Sequence, residues 1–202
     1  MLAMKAIAPD GVRVGCRTIR DGDETHLLPE EARSIPTRRL EMRRASGAAR
    51  WVARGLLADF RINDFAILRE PSGAPVWPMG ITGSLAHDDE MAVAAVAPVS
   101  QIRSLGIDVE PAEPLSDDIS ALVTIDADVA SVAIDPRLAG RLLFSAKEAV
   151  YKAVYPLDRE VLGYEDIAVD LTTGYATTRT GRRAWLTYCV SPRIIVLALV
   201  SA

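Results

Sequence analysis

PRLAGRLLFSAKEAVYKAVYP, residues 136–156, is the longest helical stretch in the chain and sets the plan of its second half. Pro136 suits a first turn, where its missing N–H costs nothing, and the helix is expected to run to about Tyr155 and stop before Pro156. Upstream, residues 111–135 are acidic and Pro-containing, with no regular pattern. Ser104–Glu110 reads as a strand. Gly80–His87 and Met91–Ala97 read as a hairpin joined across Asp88, Asp89 and Glu90. Pro71 to Pro78 is a punctuated turn region, and Phe65–Leu68 a short strand before it. Downstream, Ile167–Leu171, Ala184–Val190 and Ile194–Val200 read as strands.

The first half repeats that order. Residues 12–19 alternate as a strand, Arg20–His26 is a polar loop, and a helix starts at Leu27 with Pro29 in its first turn. Thr37 is expected to cap a longer helix reaching Phe60, with Leu40, Ala48, Trp51, Val52, Leu56 and Phe60 as its apolar stripe. Strand, long helix, strands, then the same again, gives an α+β fold. Its two pseudo-symmetric halves are each a small, mainly antiparallel sheet packed on a long helix. The boundary falls at 1–102 and 103–202.

The chain has 202 residues, of which half are apolar and a quarter charged, which excludes intrinsic disorder. No apolar run approaches the roughly 20 residues of a membrane span, and Met1–Gly11 lacks the apolar core of a secretory leader. Two cysteines, Cys16 and Cys189, give no disulfide framework. The cysteine usage points to a reducing cytoplasm, no membrane partner is expected, and the net charge of −4 argues against a nucleic-acid partner. Seven arginines nevertheless fall between Arg33 and Arg54 against one acid, Glu41. That segment is either a local anion-attracting surface or an ordinary solvated helix face. Only three of the 23 basic residues are lysines, which singles out Lys147 and Lys152 as places where a compact ammonium is wanted.

Three groups of residues carry chemistry. In Leu105-Gly106-Ile107-Asp108-Val109-Glu110, strand alternation puts Asp108 and Glu110 on one face and Ile107 and Val109 on the other. Two carboxylates so spaced are half of a site for Mg²⁺, which takes hard oxygen ligands, or simply the wet side of an amphipathic strand. Glu148 and Lys152 are one helical turn apart, either an ordinary pair worth about 0.2–0.5 kcal/mol or a third oxygen ligand beside a phosphate-binding ammonium. His87 ends the strand Gly80-Ile81-Thr82-Gly83-Ser84-Leu85-Ala86-His87.

Taken together, PVWPMGITGSLAH (75–87), LGIDVEP (105–111) and FSAKEAVYKA (144–153) resemble the 4′-phosphopantetheinyl transferases. Within them they are most similar to the enterobactin-synthetase-associated branch of the surfactin-synthetase-type class. The resemblance spans residues 36 to 171. It implies transfer of the phosphopantetheine arm of coenzyme A to a serine of an apo acyl or peptidyl carrier protein, releasing 3′,5′-adenosine bisphosphate. By this resemblance Asp108, Glu110 and Glu148 are Mg²⁺ ligands, Glu148 is also the general base, and Lys152 contacts the pyrophosphate and protonates the leaving group. His87 binds the 3′-phosphate, and Arg38 and Arg69 grip the nucleotide end. The 1–102 half would hold the nucleotide, the 103–202 half the metal and catalytic residues, with the active site in the cleft between them.

Three positions depart from the branch. Ser46 stands where an Arg is usual, with Arg44 or Arg50 as substitutes; Ala86 replaces a hydroxyl residue; and Asp88 adds a negative charge beside the phosphate site. All three are expected to weaken coenzyme A binding. A non-catalytic module binding coenzyme A or a carrier protein, and a metal-dependent nuclease built on the same acids and lysine, are the alternative readings.

Overall fold

The structure is a computed structural model describing residue 4 and residues 6–130 and 133–201. Lys5 and two residues of the acidic 111–135 stretch lie outside the described residues. Its centre is made by a strand of small residues. Met91–Pro98 is buried on both sides along Ala92–Ala97, because alanines and valines let a helix approach one face and a second sheet the other. This strand, β3, pairs antiparallel with β1 (Arg13–Thr18) and β2 (Ile81–His87) in the order β1-β3-β2.

Helices α1 (Pro29–Ser34) and α2 (Leu40–Ala58) lie between β1 and β2. After β3 come β4 (Ile102–Pro111), α3 (Asp117–Val123) and α4 (Ala139–Asp158). Strands β5 (Ile167–Asp170), β6 (Tyr175–Thr178), β7 (Arg183–Cys189) and β8 (Arg193–Ser201) follow. The second sheet is antiparallel, in the order β4-β8-β7-β6-β5, which leaves β4 at its edge.

The layers stack as helix, sheet, sheet, helix. Val52, Ala53 and Leu57 of α2 pack on Ala94 and Val96. Val93 and Ala95 face Leu105, Ile107, Val109 and Leu197 across the gap between the sheets. Leu142, Ala146 and Ala149 of α4 cover Val196 and Ala198. The expected α+β class of two sheet-and-helix halves is what the chain adopts. Among the described residues, no helix is long and apolar enough to cross a membrane.

Several local expectations change. Thr37 does not cap α2: its Oγ1 accepts from the Arg39 N–H ahead of the helix, which starts at Leu40. The buried stripe of α2 is Ala45, Ala48, Ala49, Val52, Ala53 and Leu57, while Leu40 and Trp51 face outward. Trp51 is held there by the Arg17 guanidinium, 4.6 Å above its ring. Phe65–Leu68 forms no strand, because Glu31 accepts the Ile67 N–H and Arg50 donates to the Ile67 carbonyl. Pro136–Leu138 is a turn of 3-10 helix, and α4 runs through Pro156 to Asp158, closed by Arg159 in the left-handed region. Helix α3 and strand β6 were not expected.

Candidate active site

The seam between β4 and α4 gathers the chemical residues. Ser104, Gly106, Asp108 and Glu110 alternate onto the face that meets the helix. Opposite them, Arg141, Ser145, Glu148 and Lys152 recur at intervals of four, three and four residues, one polar stripe along α4. A Cβ on Gly106 would lie 2.0 Å from the Ala149 carbonyl oxygen, so only glycine lets strand and helix approach this closely.

Every carboxylate on the seam has a partner. Asp108 is buried, its Oδ1 2.6 Å from Lys152 Nζ and its Oδ2 accepting from Ser145 Oγ at 2.9 Å. Glu110 Oε2 is 2.7 Å from an Arg141 amino group. Burial pushes the Glu110 carboxyl up, the hydrogen bond from Arg141 pulls it down, and Asp108 adds to the rise. Glu148 Oε1 accepts from the Tyr164 hydroxyl at 3.2 Å. That phenol is pushed up to about 12, by burial first and then by the charges of Glu148, Asp108 and Glu110. The three acids therefore share one neighbourhood. In this arrangement each is turned to its own donor, and among the described residues no three acidic, His or Cys side chains converge as a metal cluster.

His87, at the end of β2, is half-buried within electrostatic reach of Lys152 and Asp108, and like Asp108 and Glu110 it is not in the lining of the adjoining cavity. Burial holds its imidazole below the usual range and nearby Lys152 lowers it further, while Asp88 and Asp108 oppose this. A cavity of about 410 Å³ opens between β2 and the β4–α4 seam, with Glu148 and Lys152 in its wall and Trp77, Leu85 and Tyr155 as apolar lining. Trp77 lies against Gly83, where a Cβ would come within 2.6 Å of the ring. That contact accounts for a glycine in the ITGS run.

Arg38 and Arg69 are not in this cavity's lining. Arg38 is exposed ahead of α2, and Arg69 is exposed on the loop whose next residues, Glu70 to Pro75, edge the cavity mouth. Arg44 and Arg50, the expected substitutes at Ser46, are both engaged within the protein in this structure. Arg44 bonds Asp21 and Glu24, and buried Arg50 donates to the carbonyls of Ile67 and Ser46. With Arg54 also held on Glu31, much of the arginine-rich segment serves the fold rather than a partner. Asp88 adds no loose charge: it accepts from the Glu90 and Met91 N–H groups and pairs with Arg193 at 2.6 Å. Ala86 packs in the apolar layer between the sheets.

Lys147, singled out with Lys152, is structural. It is fully buried on Asp128 at 2.8 Å and donates to the carbonyls of Val123 and Tyr164. Arg141, Ser145 and Tyr164 are the residues that sequence reasoning missed. The first two were detectable from their spacing with Glu148 and Lys152; Tyr164 lies in a connection with no periodicity.

Residues 26–97 match the family model described as 4′-phosphopantetheinyl transferase N-terminal domain, and residues 104–193 that of the 4′-phosphopantetheinyl transferase superfamily. The chain is 38% identical over 164 residues to the 4′-phosphopantetheinyl transferase Svp of Streptomyces mobaraensis, covering 76% of this chain and 65% of that protein. It is 38% identical over 162 residues to Npt of Nocardia iowensis, covering 78% and 70%. To PptT of Mycobacterium tuberculosis it is 35% identical over 158 residues, covering 77% and 69%. The alignments thus take in about two thirds of these relatives' own length. With both segments matched in order, and the acids, Lys152 and His87 of the three motifs drawn to one seam, the chain belongs to the 4′-phosphopantetheinyl transferase family.

Proposed function

We propose that this chain transfers the 4′-phosphopantetheine group of coenzyme A to a serine of an apo carrier protein, with Mg²⁺ as cofactor. We place it in the enterobactin-synthetase-associated branch of the surfactin-synthetase-type class. The observation that carries the reading is the Asp108–Lys152 contact of 2.6 Å beside the 410 Å³ cavity whose wall holds Glu148. A carboxylate-held ammonium at the end of an apolar slot suits a pyrophosphate continued by a flexible arm.

In the reaction the serine Oγ attacks the phosphorus next to the pantetheine. The bond from that phosphorus to the bridging oxygen breaks, and 3′,5′-adenosine bisphosphate leaves with that oxygen. Glu148 takes the serine proton: Oε1 is engaged by Tyr164, which leaves Oε2 to accept it. Lys152 supplies positive charge and a proton to the leaving oxygen. His87 is assigned to the 3′-phosphate, with Arg69 and Arg38 at the nucleotide end. Residues 1–102 hold that end, and 103–202 supply the reacting groups.

The donor set fits a hard divalent cation in kind, since Asp108, Glu110 and Glu148 offer only carboxylate oxygens, each turned to its own donor in this structure. These three would hold the ion, which when bound neutralises charge on the pyrophosphate oxygens. Lys152 and Arg141 balance the carboxylates otherwise.

The exposed arginines ahead of α2 suit an acidic carrier surface. A soluble, cytoplasmic monomer is the accompanying expectation.

Asp108→Ala and Glu148→Ala should each lower transfer by about 10²–10³-fold or more while circular dichroism stays native. Full activity in either folded variant would remove that residue from the site.

A further inference from the structure

Ser104 is 1% exposed, and among the described residues its Oγ is the one buried side-chain oxygen or nitrogen without a hydrogen-bond partner. A buried hydroxyl left unpaired is destabilising, so it calls for an explanation. Its position supplies one. The ladder between β4 and β8 slips by one residue between Ile102 and Ser104. Such a bulge disturbs the strand locally, and Arg103 and Ser104 beside it both belong to the lining of the 410 Å³ cavity. Ser104 is also two residues before Gly106, on the face that carries Asp108 and Glu110. It therefore sits along the slot from the reacting groups rather than among them.

The cavity is chiefly apolar in lining around Trp77, Leu85 and Tyr155, and Thr82 and Ser84 of β2 also belong to its lining. An apolar slot with a few polar groups along its length matches a flexible chain interrupted by secondary amides. Resting on the coenzyme A reading above, we propose that Ser104 is a specificity-determining residue whose hydroxyl hydrogen-bonds an amide of the pantetheine arm. The free protein thus carries an unpaired group that the correct substrate satisfies, and a chain lacking an amide there leaves it unpaired.

The test is titration calorimetry of the wild type and Ser104→Ala with two ligands, coenzyme A and 3′,5′-adenosine bisphosphate, which has no arm. Expected is a fall in coenzyme A affinity of about fivefold to tenfold with bisphosphate affinity unchanged. The melting temperature of the ligand-free variant should hold or rise, since no protein partner is lost. Ser104→Cys, which keeps the volume and weakens the donor, should move coenzyme A binding the same way. Equal coenzyme A affinities in wild type and Ser104→Ala would overturn the assignment, as would an equal loss for both ligands, which marks a general distortion. A wild type that fails to bind coenzyme A would overturn the parent reading, and the role of Ser104 with it.

Discussion

His87 shows how one side chain's surroundings set its use. Burial, and after it the nearby Lys152 charge, keep the imidazole neutral at pH values where a free histidine is charged. The unfolded chain therefore binds the extra proton between the lowered folded value and the ordinary histidine value of 6.5, and stability rises with pH across that window and is flat above it. A phosphate bound at His87 reverses the preference, because it favours the imidazolium. Coenzyme A binding should therefore weaken from about pH 6 to about pH 8, with proton uptake, while dephospho-coenzyme A shows little of this dependence. Calorimetry in buffers of different ionisation heat checks both, and identical pH profiles for the two ligands would take His87 out of the phosphate site. Gly106 is the second decisive residue. Gly106→Ala sets a methyl against the Ala149 carbonyl and should cost about 2–3 kcal/mol in urea unfolding, with transfer reduced as the seam opens.

At the scale of elements, α4 has two working faces. One carries Arg141, Ser145, Glu148 and Lys152 toward β4. The other buries Lys147 on Asp128, whose carboxylate also accepts from the Ile125 and Val169 N–H groups. That ion pair ties the connection before α4 to the strand after it, and through the Tyr164 carbonyl it braces the phenol on Glu148. Lys147→Met strands a buried carboxylate and should cost about 3–5 kcal/mol, measured by denaturant unfolding; Lys147→Met with Asp128→Asn should cost less than the two single changes summed. A single-variant loss below about 1 kcal/mol would contradict the bracing role.

The elements that could be read in advance were those with strong local signals. The β2–β3 hairpin, the β4 acids and α4 all announce themselves through alternation or helical spacing. The stripe of α2 was misplaced because its true face is mostly alanine, which gives little hydropathy contrast, while Trp51 rests outward under Arg17. The Phe65–Leu68 stretch looks like a strand, yet the backbone groups of Ile67 bond to Glu31 and Arg50, partners 36 and 17 residues away. Tertiary contacts of that kind leave no local trace.

Across the whole molecule, the two halves meet through the apolar layer between the sheets and through ion pairs that span them. Arg193 on β8 holds Asp88 and Glu90 at the β2–β3 turn, and Arg159 at the end of α4 reaches Glu70 at the cavity mouth. The acids, lysine and histidine of the motifs are brought together only by this docking, since β2, β4 and α4 come from distant parts of the chain. What no single motif contains is the cavity itself, whose walls are drawn from both halves. The most direct measurement is intact-protein mass spectrometry of several apo carrier proteins incubated with this chain, coenzyme A and Mg²⁺. A gain of one phosphopantetheine group on the carrier, matched by released 3′,5′-adenosine bisphosphate, is expected. Unchanged carrier masses throughout, with coenzyme A left intact, would contradict it.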